Sequence, residues 1–186
     1  TVLFGNIEYE LGGSYQLKNA VTILKAIEVL KNIGIAIDRH SVADGFLNVT
    51  SRTGLRGRWE TVCNNPKTVC DTGHNVGGIK YVAEQLKNEH YNTLHIVFGM
   101  VNDKDTDGVL SLLPSDARYY FTQPSIPRAL PSGRIMEMGL AHGLRGNSYA
   151  SVKEAYETAC NAFMPGDMIY VGGSTFVVAD LLEAFF

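Results

Sequence analysis

Apolar residues recur at Leu17, Val21, Leu24, Ile27 and Leu30. This three-to-four spacing predicts an amphipathic helix over 16–33, stopped by Gly34, with Ser14 available as its cap. A shorter helix is predicted over 41–47, capped by Ser41. The next stretch, 48–57, is rich in Ser, Thr, Gly and Arg and reads as a linker.

Beyond the linker the pattern changes. Strands are predicted over 58–63, 68–71, 93–99, 118–122 and 167–171, alternating with helices over 76–89, 107–113, 132–142, 152–162 and 175–184. Runs such as Leu94, Ile96, Val97 and Phe98, or Met168, Ile169, Tyr170 and Val171, suit strands covered on both faces. Strands alternating with helices imply crossover connections and a largely parallel sheet. The expected fold class is therefore α/β: a Rossmann-like, doubly wound, mostly parallel sheet of about five to six strands, preceded by a helical segment. The expected division is 1–50 with a linker to about 57, then 58–186.

Composition narrows the function. The chain has 186 residues, 45% hydrophobic and 19% charged, with a net charge of -3. That is enough chain to bury a core without disulfides, and there is no basic field for a nucleic-acid backbone. The three cysteines, Cys63, Cys70 and Cys160, form neither an even set nor a CxxC or Cys/His cluster, so neither a disulfide framework nor a zinc site is expected. Cys63 and Cys70 lie in strand-like runs and read as small buried hydrophobes. No signal peptide and no apolar stretch of bilayer-spanning length is visible, so the expected location is the cytoplasm, with no membrane partner. The chain opens at Thr1 in what reads as mid-strand or loop, without an initiating Met, and is expected to be a piece of something larger.

Candidate chemistry clusters where predicted strands end. The segment Val69-Cys70-Asp71-Thr72-Gly73-His74-Asn75-Val76-Gly77-Gly78 places an Asp at a strand terminus, then a Gly turn and a His–Asn pair at a helix start. Ligands of open α/β sheets bind beyond the carboxyl ends of the strands, and a helix N-terminus favours negative charge. Asp71 could accept hydrogen bonds from ribose hydroxyls; equally, Asp71 or Asn75 could simply cap the helix. Arg58, at a strand entrance, is a phosphate contact or a solvated charge. Lys104, between Asp103 and Asp105, could meet an acidic substrate or close a salt-bridged loop. Arg128 after the next strand is equally ambiguous. Gly172-Gly173-Ser174 permits close backbone approach to a ligand or to packed neighbours. Gln16 and Asn19 share one helix face.

Taken together these elements resemble a known family. Tyr15-Gln16-x-x-Asn19-Ala20, Gly54-Leu55-Arg56-Gly57-Arg58-Trp59-Glu60, Asp71-Thr72-Gly73-His74-Asn75, Asp103-Lys104-Asp105, Pro127-Arg128-Ala129 and Gly173-Ser174 resemble, in order and approximate spacing, the folylpolyglutamate synthase/dihydrofolate synthase family of the Mur ligase superfamily. Thr72-Gly73 departs from the family's common Gly-Ala at that point.

The resemblance implies an ATP-dependent ligase. ATP phosphorylates the terminal carboxylate of the folate substrate, and the amino group of glutamate attacks the acyl phosphate. By resemblance, Gln16, Asn19, Arg58, Asp71, His74 and Asn75 contact the nucleotide. Arg58 also stabilises charge during transfer. Lys104, Asp105, Arg128 and Ser174 serve the glutamate or folate side. The implied partners are ATP, Mg2+, L-glutamate and a tetrahydrofolate or dihydropteroate substrate. The resemblance also implies a central ATPase domain in cis, of which residues 1–50 are the tail. No GxxxxGK[ST] phosphate loop occurs in these residues, and the family's magnesium ligands lie upstream, so no metal site is expected here and the chain alone is expected to be catalytically silent. A Mur-type ligase for a cell-wall or cyanophycin-type precursor, and a non-catalytic nucleotide-binding module, remain as alternatives. A dinucleotide oxidoreductase is disfavoured because no GxGxxG follows the first strand.

Overall fold

The computed structural model describes residues 7–186. The chain divides into two compact units, Thr1–Arg58 and Trp59–Phe186.

The first unit holds α1 (Gln16–Asn32), α2 (Arg39–Leu47) and α3 (Val49–Thr53). Helix α3 falls inside the expected linker and stops at Gly54, whose φ of 70° is the left-handed cap conformation. Helix α2 begins earlier than expected. Asp38 is its cap, accepting from Ser41 N–H at 2.7 Å, because a carboxylate one turn upstream satisfies the orphan amides better than Ser41 could from within. Tyr15, rather than Ser14, occupies the N-cap position of α1. The apolar stripe of α1 does not form a core here: Leu17 is 59% and Val21 62% exposed, and Gln16 is the helix's buried residue.

The second unit carries the sheet. Its strands are β1 (Glu60–Asn64), β2 (Lys67–Asp71), β3 (Leu94–Phe98), β4 (Arg118–Phe121), β5 (Arg145–Ser148) and β6 (Met168–Gly172). Their spatial order is β1-β2-β6-β3-β4-β5. Strands β1 and β2 form an antiparallel hairpin; every other neighbouring pair is parallel. The doubly wound α/β expectation therefore holds. Strand β5 was not expected: Arg-Gly-Asn-Ser offers no apolar run, and it lies at an edge, paired only with β4.

Alternation along the strands builds two cores. Ile96 and Phe98 of β3, Tyr119 and Phe121 of β4, and Tyr170 of β6 pack on one face. There they meet Ile79, Val82 and Leu86 of α4 (Val76–Asn88), Val109 of α5 (Thr106–Leu110) and Ile135 of α6 (Ser132–Ala141). Val97, Tyr120, Ile169 and Val171 point to the other face. That side is covered by Val152, Ala155 and Ala159 of α7 (Val152–Ala162) and Val177 and Leu181 of α8 (Thr175–Phe185). Fully burying one such aliphatic or aromatic side chain contributes about 1.5–3 kcal/mol. Cys70 is buried, whereas Cys63 is only half-buried; both are free thiols.

The return of β6 between β2 and β3 creates a topological switch, and a crevice opens beyond the carboxyl ends of those strands.

Candidate functional site

Strand β2 ends at Asp71, which is 2% exposed. Its Oδ2 accepts from the Trp59 N–H at 2.8 Å and its Oδ1 from the Gly73 N–H at 2.7 Å. These two bonds fix the loop. Nδ1 of His74 donates to the Thr72 carbonyl at 2.9 Å. Asn75 Oδ1 accepts from Gly78 N–H at 2.8 Å and caps α4. Of the two sequence readings for Asn75, capping is the one its side-chain oxygen performs.

Beyond β3 and β4, the two exit loops pair with each other. Val101 bridges to Ala129, Asn102 N–H donates to the Arg128 carbonyl at 3.0 Å, and Leu130 N–H to the Met100 carbonyl at 2.9 Å. This pairing brings together two cations that are far apart in sequence. Asp103 Oδ2 lies 3.4 Å from the Arg128 guanidinium and 4.0 Å from Lys104 Nζ. Asp105 caps α5 by accepting from Gly108 N–H at 3.0 Å.

Beyond β6, Gly173 adopts φ of 91°. A Cβ there would lie 2.6 Å from the Phe98 ring and 2.7 Å from the Gly99 carbonyl oxygen, so the turn demands glycine. Ser174, 2% exposed, caps α8 through its Oγ, which accepts from Phe176 N–H at 3.2 Å. The Arg128 guanidinium stands 5.2 Å over the Phe176 ring centroid.

These exits converge on a cavity of about 270 Å3 lined by His74, Val101, Lys104, Arg128, Ser174, Thr175 and Phe176. Two cations, an imidazole and the amino end of an 11-residue helix form a surface that attracts small anions. Four residues singled out in the sequence therefore line one cavity: His74, Lys104, Arg128 and Ser174. Asn75 and Asp105 are outside that lining and hold helix starts. Asp71 is buried in the loop next to it. Phe176 and Asp103 were missed as site residues. An aromatic two positions after a Gly-Gly-Ser helix start was the only available signal for Phe176.

Gln16 and Asn19 belong to the first unit. Asn19 Nδ2 donates to Gln16 Oε1 at 2.8 Å, and both line a cavity of about 130 Å3 with Tyr9, Leu11, Ile23 and Phe46. Arg58, half-buried, closes that unit and immediately precedes Trp59. Among the described residues no group of three or more His, Cys, Asp or Glu side chains is placed to hold a metal ion, and no helix is long and apolar enough to cross a membrane.

A parallel sheet with a charged crevice at its switch point, beside an Asp-x-x-His-Asn loop, defines a class. Residues 57–175 match the model of the Mur ligase, glutamate ligase domain, and the chain belongs to that family. Within it, the Escherichia coli dihydrofolate synthase/folylpolyglutamate synthase is 30% identical over 89% of this chain and 37% of the relative. Among solved structures, Mycobacterium tuberculosis folylpolyglutamate synthase complexed with ADP and AMPPCP superposes with a TM-score of 0.84 at 26% identity, covering 98% of this chain and 42% of that one. E. coli FolC in complex with DHPP and ADP gives 0.81 at 27% identity, covering 97% and 41%. The chain thus spans less than half the length of these relatives.

Proposed function

We propose that these residues form the C-terminal part of an ATP-dependent ligase that joins L-glutamate to a folate or dihydropteroate acceptor through an acyl phosphate. The observation that carries this reading is the single cavity lined by His74, Lys104, Arg128 and Ser174 beyond the strand ends. Glutamate brings carboxylates, and a hydrogen bond from a charged donor such as Lys104 or Arg128 contributes roughly 1.5–3 kcal/mol. Ser174 and the start of α8 add backbone N–H donors on the same wall.

In this reading the first unit, residues 1–50 with its linker, is the tail of a central ATPase domain. Asn19 and Gln16 contact ATP from there, and Arg58 reaches the phosphates, where a guanidinium fork matches the oxygens and stabilises charge in transfer. Asp71, at the end of β2, holds the ribose. Asn75 serves the nucleotide indirectly, by fixing the start of α4, and Asp105 likewise fixes the loop that carries Lys104. The sequence puts His74 on the nucleotide side; its place in the cavity favours the amino-acid side. Mg2+ accompanies ATP and takes its ligands from the upstream domain. The substrates are cytoplasmic, and so is the reaction.

The test is glutamate-dependent ATP hydrolysis by the full-length ligase with tetrahydrofolate or dihydropteroate as acceptor. This chain alone is expected to show none. Turnover with a peptidoglycan precursor but not with a folate would replace the folate reading by the cell-wall one.

A further inference from the structure

Two cysteines far apart in sequence converge on one hydroxyl of the second unit. Cys63 in β1 stands directly opposite Thr68 in β2. Opposed residues of an antiparallel pair point to the same side of the sheet, with Cβ atoms about 4.5–5.5 Å apart. Along β2, Val69 packs on one face and Cys70 on the face that α7 covers, so Thr68, two positions before Cys70, shares the α7 face. Thr68 Oγ1 lies 3.0 Å from the Tyr156 hydroxyl of α7. Cys160 follows Tyr156 by one helical turn, packs against the same cluster, and its thiol is hydrogen-bonded by the Tyr156 hydroxyl. Both thiols act on that hydroxyl. Burial pushes its pKa up, and the charges of Cys160 and Cys63 add to the rise, against the pull of the Thr68 bond.

Access separates these two thiols from the third. Cys63 and Cys160 are half-buried, whereas Cys70 is fully buried, so a reagent in solution reaches the first two. Strand β1 is an edge of the sheet, held by β2 alone, and its register shifts between Thr61 and Cys63. An irregular edge yields more easily than a central strand to the small movement that brings two sulfurs to bonding distance. The cluster sits near the start of β2, at the end of that strand remote from Asp71.

We propose that Cys63 and Cys160 form a dithiol site that a small-molecule disulfide oxidises reversibly to a disulfide bond joining β1 to α7. The inference is independent of the ligase reading. In the first exchange the thiolate of one cysteine attacks a sulfur of the small disulfide. The S–S bond of that molecule breaks, one small thiolate leaves, and a mixed disulfide remains on the protein. The second cysteine loses its proton and attacks the protein sulfur of the mixed disulfide, and the second small thiolate departs. The two cysteines thereby give up two electrons and two protons, and the small disulfide takes up both and leaves as two thiols. Burial pushes the Cys160 thiol up, which makes it the poorer first attacker, so the first exchange falls to Cys63 and Cys160 resolves it. In a reducing compartment the pair stays open, and it closes when the thiol–disulfide poise turns more oxidising.

The experiment equilibrates this chain with mixtures of oxidised and reduced glutathione and maps its cysteines by mass spectrometry of proteolytic peptides. The expected product has lost two hydrogens, yields a linked Cys63–Cys160 peptide and keeps Cys70 reduced. Excess reduced glutathione should restore the starting mass. Cys160→Ser should trap one glutathionyl group on Cys63, and Cys63→Ser should react several-fold more slowly than the unaltered chain. A ring closed over most of the second unit restricts the unfolded chain, so the oxidised form should melt several degrees above the reduced one. Separate glutathionyl groups on Cys63 and Cys160 of the unaltered chain, with no linked peptide, would overturn the proposal, because the two sulfurs then do not meet. Oxidation of Cys70 at the same rate would overturn it too, since the reaction would then follow unfolding. A link between two copies of the chain, or an unchanged thiol count at every ratio, would do the same.

Discussion

The backbone N–H of Trp59 donates to Asp71 Oδ2 at 2.8 Å, joining the entrance of β1 to the exit of β2. Trp59 has φ of 51°, a conformation that costs a non-glycine residue about 1–2 kcal/mol. The Asp71 bond helps hold it there while the ring packs, 8% exposed, beside Tyr170. Replacing one acceptor oxygen with an amide NH2 would set a donor against an N–H in a buried site. Asp71→Asn is therefore expected to lower stability by about 1–3 kcal/mol. A thermal melt of this chain followed by circular dichroism should show a midpoint several degrees lower; an unchanged midpoint would mean that the loop is held by something else.

Phe176 supports the cavity's exposed cation. The Arg128 guanidinium lies over its ring and is otherwise engaged by Asp103 at 3.4 Å, an exposed pair of small energetic value. Removing the ring should leave the guanidinium less ordered before substrate arrives. If the full-length protein is the glutamate ligase proposed above, Phe176→Leu is expected to raise its KM for glutamate about two- to fivefold with kcat nearly unchanged, matching a cation–π contribution of about 0.5–1 kcal/mol. Phe176→Tyr should restore the KM. A drop in kcat alone would argue that the ring does something other than place Arg128.

The central strands were legible because Leu94–Phe98 and Met168–Gly172 are buried at every position, and an apolar run of that length has few alternatives. Strand β5 was not, since an edge strand needs no apolar face and Arg145–Ser148 has none. Helix α1 was legible as a helix, but its periodicity only names the apolar face. It does not say what covers that face, and Leu17 and Val21 are exposed. At the site, the sequence placed charged residues at strand exits, which a parallel sheet sends to one edge. Local pattern could not separate a ligand from a cap: Asn75 and Asp105 turned out to bond the amides of their own helices. The meeting of Lys104 with Arg128 depends on the Val101–Ala129 bridge, a long-range pairing with no local signature.

At the opposite end of the strands, His95 is fully buried. Its Nε2 meets Asp167 Oδ2 at 3.2 Å and its Nδ1 meets the Tyr120 hydroxyl at 2.9 Å. Burial pushes the His95 pKa below its ordinary value, against the opposing pull of the Asp167 bond and charge and with a small assist from Arg118. Burial works to raise Asp167, but the Met164 N–H, the His95 bond and the Thr93 N–H outweigh it and hold that carboxyl low. The neutral ring thus donates Nε2–H to a carboxylate and accepts from Tyr120. A depressed histidine pKa means that the unfolded chain binds the proton more readily, so stability rises with pH. The contribution is complete above the unfolded value of about 6.5 and is lost as pH falls from there toward the folded pKa. Melting temperature should therefore decline as pH falls below about 6.5, and His95→Asn, less stable at pH 7.5, should show a flatter decline. A wild-type midpoint independent of pH across that range would mean that the ring is charged in the fold.

Two glycines with opposite surroundings test the turn that presents Ser174. Gly173 combines φ of 91° with a site where a Cβ would lie 2.7 Å from the Gly99 carbonyl oxygen, and that atom cannot move without disturbing the exit of β3. Gly133 lies in the first turn of α6 with nothing within 4 Å of an added Cβ. Gly173→Ala is expected to destabilise by about 1–3 kcal/mol through strain and overpacking. Because Ser174 follows directly and caps α8, the same change should, under the proposed function, raise KM for glutamate in the full-length protein. Gly133→Ala should instead stabilise by about 0.4–1 kcal/mol, since the new side chain mainly restricts the unfolded chain. Urea midpoints of the two variants should move in opposite directions. If both fall together, the Gly173 effect cannot be assigned to its backbone conformation and close contacts.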